Sequence, residues 1–484
     1  MRKSALILGL MLMAGVAAHA EVTLPNILGN GMVLQRNKPV PVWGTAAQGE
    51  KVTVKFGKQT KTTMPDTAGH WQVLLDPMKA SAQGQTMTIS GTNTIKLNDI
   101  LVGEVWLASG QSNMTYEMRK DTKLQKPDSS VNWPVDELQH AHNPMLRIFL
   151  VTNKNLRKPD PSHSGWSVAE NAALYNFSAV AYYFAKHLNE DLKVPVGVIA
   201  SSSPGSRIEP WMTREALANE PYFKENNIRI EGDPGKFYEN MIQPLAPFAI
   251  KGVLWYQGES GVYLKENITY AYKMDALIHN WRALWSDRKL PFYYVEVAPY
   301  HYSTVKDPKT TYDIYTEPEL REGQAQALKI PYTGMVVTTD LNTHLDNLHP
   351  PLYKWEIGRR LELLAMANNY GAKNIVPSGP EYTGMTISGN KIVLSFKYAG
   401  GGLTSHDGKP LTNFEIAGSD GKFVPAEAEI KGDKIYVSAA SVSEPTAARF
   451  AWDEAAMPNF YNKAGLPAVP FRTNTPYVFK PITN

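Results

Sequence analysis

The sequence predicts an α/β protein, a mostly parallel sheet flanked by helices, with a β-sandwich-like domain on either side of it. Three observations predict this. Short apolar runs alternate with helical periods through the middle of the chain, polar and apolar residues alternate through the stretch before it, and hairpin signatures return after it.

The first twenty residues, "MRKSALILGLMLMAGVAAHA", stand apart from the fold. Arg2 and Lys3 precede an apolar run too short to span a bilayer, and Ala18-His19-Ala20 closes it, so residues 1–20 read as a secretory signal peptide cleaved before Glu21. No later stretch is apolar enough for a membrane helix, and no cysteine is present to carry a lipid or a disulfide. The expectation is a periplasmic or secreted protein with no membrane anchor. The formal charge of +3 moves toward neutral once Arg2 and Lys3 are removed, which argues against nucleic acid as a partner.

From 21 to 97, "KVTVKFG", "HWQVLL" and "MTISG" alternate as half-buried strands do and are separated by turn residues, the pattern of an antiparallel sandwich. From 98 to 371 the runs "VWLA", "LRIFLV", "VGVIA", "GVLWY", "FYYVEV" and "GMVVTT" read as buried strands. Between them, Phe177, Val180, Ala181, Phe184 and Leu188 share one helical face, as do Met274, Leu277, Ile278, Trp281 and Leu284. The segment "YKWEIGRRLELLAMANNYG" is expected as a last helix that stops at Gly371. From 372 to 484, "MTISGNKIVLSF" and "AEIKGDKIYVS" predict hairpins around Gly-Asn and Gly-Asp, and the tail is expected to return to the central domain.

Polar clusters follow four of the central strands: Gly110-Gln111-Ser112-Asn113, "SSSPGSR", Gln257-Gly258-Glu259-Ser260 and "DLNTHLDNLHP". In a parallel sheet all four lie beyond carboxyl ends, where open α/β folds bind ligands. A serine becomes a nucleophile when a histidine takes its proton, and that histidine needs a carboxylate to orient it. Ser112, His349 and Asp346 supply these types. Gly205, the Ser112 backbone and the Gln257 side chain supply N–H donors for an oxyanion. Each has a plainer reading: "GQSN" as a turn, Asp346 and His349 as a loop ion pair, Gln257-Gly258-Glu259 as a strand-end turn, Gly205 as a tight turn. Their coincidence at four strand ends favours catalysis.

The stretches "LPNILGNGMVLQRNKPVPVWG", "VGEVWLASGQSNM", "MIQPLAPFAIKGVLWYQGES", "DNLHP" and "FYNKAGLPAVPFRT" together resemble the sialate O-acetylesterase family of the SGNH hydrolase superfamily. The resemblance implies an SGNH-type sheet, Ser112 as nucleophile, His349 as base, Gly205 and Gln257 as oxyanion donors, an acetylated carbohydrate as substrate and no cofactor. It also covers esterases of plant polysaccharides. Two departures stand out: the superfamily has an asparagine where this chain has Gln257, and Pro204-Gly205-Ser206 replaces the Gly-Gly-Thr common in the family. The acid stays open between Asp346 and Glu259. Arg207 is a candidate for a sialic acid carboxylate, against an ion pair with Glu209.

Three other classes compete. A glycosidase would use Glu259 and Asp346 as its carboxylate pair but leaves Ser112 without a role. A metal-dependent deacetylase would draw on His140, His142, His344, Asp346 and His349. A carbohydrate-binding protein would keep its binding without Ser112.

Overall fold

A computed structural model describes residues 21–121, 136–152, 165–341, 345, 346, 348 and 353–482. The expected signal peptide therefore lies outside the described residues, and so does His349.

The N-terminal region is built from β1 (Val33–Gln35), β2 (Val40–Thr45), β3 (Val52–Phe56), β4 (Gln59–Thr63), β5 (His70–Leu75) and β6 (Ser81–Ser90). In β5 the alternation of "HWQVLL" is realised residue by residue, with Trp71, Val73 and Leu75 buried and His70, Gln72 and Leu74 exposed. β2 pairs antiparallel with β5, while β3, β4 and β6 form a second antiparallel set. Val42, Val54, Phe56, Trp71 and Ile89 fill one core with the inward side chains of both sets.

A single long strand, β7 (Thr94–Gly110), joins this region to the centre. Its first half pairs with β6 and its second half lies in the middle of the parallel sheet, so the backbone crosses position 97/98 without a break. The sheet continues with β8 (Leu146–Leu150), β9 (Ser167–Val168), β10 (Val196–Ser202), β11 (Gly252–Tyr256), β12 (Phe292–Val295) and β13 (Thr333–Val336), in the order β13-β12-β11-β7-β10-β8-β9. Every neighbouring pair is parallel except β8 with β9.

Both faces of this sheet are covered, which is why its strands read as unbroken apolar runs. Two short helices, α1 (Ser112–Thr115) and α2 (Met118–Asp121), follow β7 directly. On one face, Trp106 and Ala108 of β7 pack under α3 (Ala179–Leu192), whose Val180, Ala181, Phe184 and Leu188 are fully buried as their spacing predicts. Ser178 caps this helix by accepting from the Ala181 N–H at 3.2 Å. On the other face, Val105 and Leu107 share a core with Met274, Leu277, Ile278 and Trp281. A short α4 (Glu259–Tyr263) follows β11, and these last four residues belong to α5 (Ile268–Leu284). Next come α6 (Thr316–Gln326) and α7 (Lys354–Asn369), the latter on the α3 face and ended by Gly371 at φ +72°.

Beyond 372 the chain returns to antiparallel strands. Ser388 pairs with Lys391 around Gly389-Asn390, and Lys431 pairs with Lys434 around Gly432-Asp433, the two expected hairpins. Phe414, Phe450, Phe460 and Phe471 form their own core. The tail then lies against α5: the Phe479 ring meets Tyr272 edge-on at 4.9 Å, and the Ile482 N–H donates to Asp275 Oδ2 at 2.6 Å.

Candidate active site

Register brings the polar clusters together. Gly110 at the end of β7 stands opposite Ser202 of β10 on one side and Tyr256 of β11 on the other, so three strands end in one row. Gly110 has φ +138°, and a Cβ there would lie 2.1 Å from the Tyr256 carbonyl oxygen. Only glycine allows the chain to turn this close to β11. The turn lets the Gln111 N–H donate to that carbonyl at 2.9 Å and starts α1 at Ser112.

Ser112 is half-buried and lines a cavity of about 670 Å3 together with Tyr116, Gly205, Glu259, Ser260 and Tyr263. Its hydroxyl makes no hydrogen bond among the described residues. As the first residue of a helix its N–H has no intrahelical acceptor. Gly205 sits across the cavity, exposed, at φ +69° with open space where a Cβ would be. Glycine is favoured there for its backbone angle and not for room. Among the described residues its N–H also has no internal acceptor. Two residues whose N–H groups have no acceptor among the described residues thus line the cavity from different strand ends, and an oxyanion site needs two such donors.

Gln257 does not complete this pair. Its Nε2 donates to Gln111 Oε1 at 3.0 Å and to the Ser206 carbonyl at 3.3 Å, while its Oε1 accepts from the Tyr270 hydroxyl at 2.7 Å. Both amide hydrogens are used, the residue is 1 % exposed, and it does not line the cavity. The Ser206 carbonyl can only accept, which fixes the amide orientation. In this structure the expected oxyanion donor braces the ends of β7, β10 and β11 against one another. Gln111 shares this task, since its Oε1 also faces the N–H groups of Gly258 and Ser260 at 3.4 Å. Gln257→Ala would leave these partners unpaired in a buried site, and a loss of about 1–3 kcal/mol in unfolding free energy is expected by denaturant titration. A drop in turnover at unchanged stability would restore the oxyanion role.

For Arg207 the structure shows the ion pair with Glu209 that the sequence also offered. Its guanidinium forks onto Glu209, with Nη2 2.8 Å from Oε1 and Nε 3.2 Å from Oε2, and it lines a separate small pocket with Lys273 and Phe223. Glu209 also accepts from Lys273 at 2.7 Å, and Lys273 reaches Glu266 as well. Burial opposes the Glu209 charge, but Lys273 and Arg207 hold its carboxyl below the usual range. Two of the guanidinium nitrogens are thus engaged by Glu209 within the protein. The turn after β10 aims residue 207 away from the cavity that residue 205 lines, which spacing in sequence alone does not reveal.

The two candidate acids have opposite surroundings. Glu259 is 1 % exposed at the start of α4, and its Oε1 accepts from Asn113 while its Oε2 has no partner among the described residues. Burial pushes its carboxyl up, although Asn113 and Lys354 oppose this. Asp346 is exposed and makes no ion pair among the described residues. Among those residues the cavity wall includes Glu259 and not Asp346. That arrangement does not set two carboxylates across one bond, as a glycosidase needs. A triad acid stands behind its histidine and has no need to face the substrate.

Asn113 and Lys354 were not expected. Asn113 is fully buried; its amide also donates to the Leu348 carbonyl at 3.2 Å, and its Oδ1 accepts from Lys354 Nζ at 2.5 Å. Lys354 is itself buried at the start of α7, with its ammonium 5.2 Å from the Tyr116 and Tyr256 ring centres. Asn113 thereby links α1 to Glu259 and to the backbone that leads into His349. Among the described residues no group of three or more His, Asp or Glu side chains gathers as a metal site; His142 pairs with Glu170, and His344 lies outside them.

A family model described as carbohydrate esterase, sialic acid-specific acetylesterase matches residues 102–361, from within β7 to within α7. Human sialate O-acetylesterase is 29% identical over 435 residues, covering 81% of this chain and 80% of its own. The rat sialate O-acetylesterase is 30% identical over 441 residues, with 77% and 78% covered. The crystal structure of a carbohydrate acetylesterase from Xanthomonas citri superimposes with a TM-score of 0.81 at 33% identity, covering 94% of this chain and 100% of that one.

Proposed function

Because the chain belongs to the carbohydrate esterase family of sialic acid-specific acetylesterases, we propose that it removes O-acetyl groups from sialic acids by serine catalysis at Ser112. The chain is a carboxylic ester hydrolase that acts on acetylated carbohydrate. The observation that carries the serine reading is Ser112 at the head of α1, its hydroxyl unengaged by any described residue, in a cavity that it shares with Gly205.

In this reading Ser112 Oγ attacks the acetyl carbonyl while His349 takes the hydroxyl proton. The N–H groups of Ser112 and Gly205 hold the oxyanion. Collapse of the intermediate releases the sugar hydroxyl with the proton from His349, and water then hydrolyses the acetyl-serine by the same route in reverse. Asp346, three residues before His349, orients the imidazole and balances its charge. The leader-like residues 1–20 support export, to the periplasm or beyond.

A second reading has its own support. The Xanthomonas citri relative, which superimposes on nearly the whole chain, is a carbohydrate acetylesterase, and Arg207 forks onto Glu209. Both leave room for a neutral acetylated polysaccharide as substrate. Acetate release from O-acetylated sialic acid and from acetylated xylan decides between them: faster release per enzyme from the sialic acid is expected, and release from xylan alone would overturn the sialate reading.

A further inference from the structure

A sialic acid differs from a neutral acetylated sugar by its carboxylate, and a cation facing the cavity that holds the acetyl group would select for it. Arg207 points into a different pocket, and Lys354 is buried against Asn113 between two tyrosine rings. Among the described residues that line the Ser112 cavity, one lysine or arginine remains, Lys120 on α2.

Lys120 is exposed, and its ammonium lies 5.4 Å from the ring centre of Tyr116, which forms a wall of the same cavity. Among the described residues, the acidic side chain paired with it is Glu117, which a second cation also holds. Glu117 Oε2 is 3.6 Å from Lys120 Nζ, beyond hydrogen-bond distance, and the same oxygen accepts from Arg119 Nε at 2.7 Å. Glu259, the acid in the cavity wall, is itself buried, and burial pushes its carboxyl up. The volume of about 670 Å3 is in the usual range for a small-molecule site.

Resting on the sialate reading above, we propose that Lys120 recognises the carboxylate of the sialic acid substrate and is a specificity-determining residue of this site. The cation holds the sugar by its acidic end while the acetyl group meets Ser112, so its loss weakens binding of the charged substrate more than the chemistry.

The test compares kcat/KM for O-acetylated sialic acid with kcat/KM for the carboxyl methyl ester of the same sugar, in the wild type, Lys120→Gln and Lys120→Arg. The wild type is expected to prefer the free acid. Lys120→Gln should lower that preference by roughly 10- to 100-fold, mainly through KM, and Lys120→Arg should restore most of it. Because the readout is a ratio within one protein, partial misfolding does not mimic it. A preference unchanged in Lys120→Gln overturns the assignment alone. A wild type that hydrolyses an aryl acetate yet releases no acetate from either sialic acid substrate overturns the sialate reading, and the role of Lys120 with it.

Discussion

Replacing Ser112 by alanine is expected to lower kcat/KM for every acetyl ester by roughly 10⁴- to 10⁶-fold, as removal of a serine nucleophile does elsewhere. Stability should barely change. The hydroxyl is bonded to no described residue, the side chain is half-buried, and alanine is the better helix former at the first position of α1. A shift within about 0.5 kcal/mol is the expectation for such a site. The pairing of a large activity loss with an unchanged melting temperature is what distinguishes a nucleophile from a turn residue. His349→Ala should cause a comparable loss, and the double variant should be little worse than either single one, because the two groups act as a unit. A folded Ser112→Ala protein that still hydrolyses an aryl acetate at near the wild-type rate would sink the mechanism.

The fold was legible in the sequence because burial on both faces of a parallel sheet leaves an unmistakable trace. Runs such as "GVLWY" and "FYYV" carry no charged residue where helices cover both sides, and these are β11 and β12. The cluster Gly110-Gln111-Ser112-Asn113 was legible as a strand end, and Gly110 explains why: a side chain there would collide with β11. What the sequence did not disclose is direction. Gln257 and Arg207 both stand within two residues of a strand end or of Gly205, as a donor and a substrate clamp would, yet one faces Gln111 and the other Glu209. One-dimensional spacing puts a residue near a crevice, while the turn decides which wall it joins. Lys354 shows the converse case. It reads as an ordinary surface lysine at a helix start, and only the tertiary approach of Asn113 makes a buried cation there affordable.

Asp346→Asn and Glu259→Gln are expected to differ strongly, and their order tests the assignment of the acid. Asp346→Asn should cost turnover up to about 10⁴-fold, because an amide favours the wrong tautomer of His349 and cannot balance its charge. Glu259→Gln should cost less than about tenfold. Burial pushes the Glu259 carboxyl up, and an amide keeps its shape and an oxygen that can still accept from Asn113. The same shift has a sign in stability. Since the folded protein raises this group above its ordinary value of 4.5, its stabilising contribution is complete below that pH and is lost as pH rises through the folded value. Glu259→Gln removes that loss, so its melting temperature relative to the wild type should climb as pH rises above 4.5 and then level off. The opposite pattern is equally concrete: a larger loss of turnover in Glu259→Gln than in Asp346→Asn, with no pH-dependent gain in stability, would mean that Glu259 is ionised beside the imidazole. Its unpartnered Oε2 would then be the oxygen that receives the His349 N–H, and Asp346 would be an exposed carboxylate of the loop.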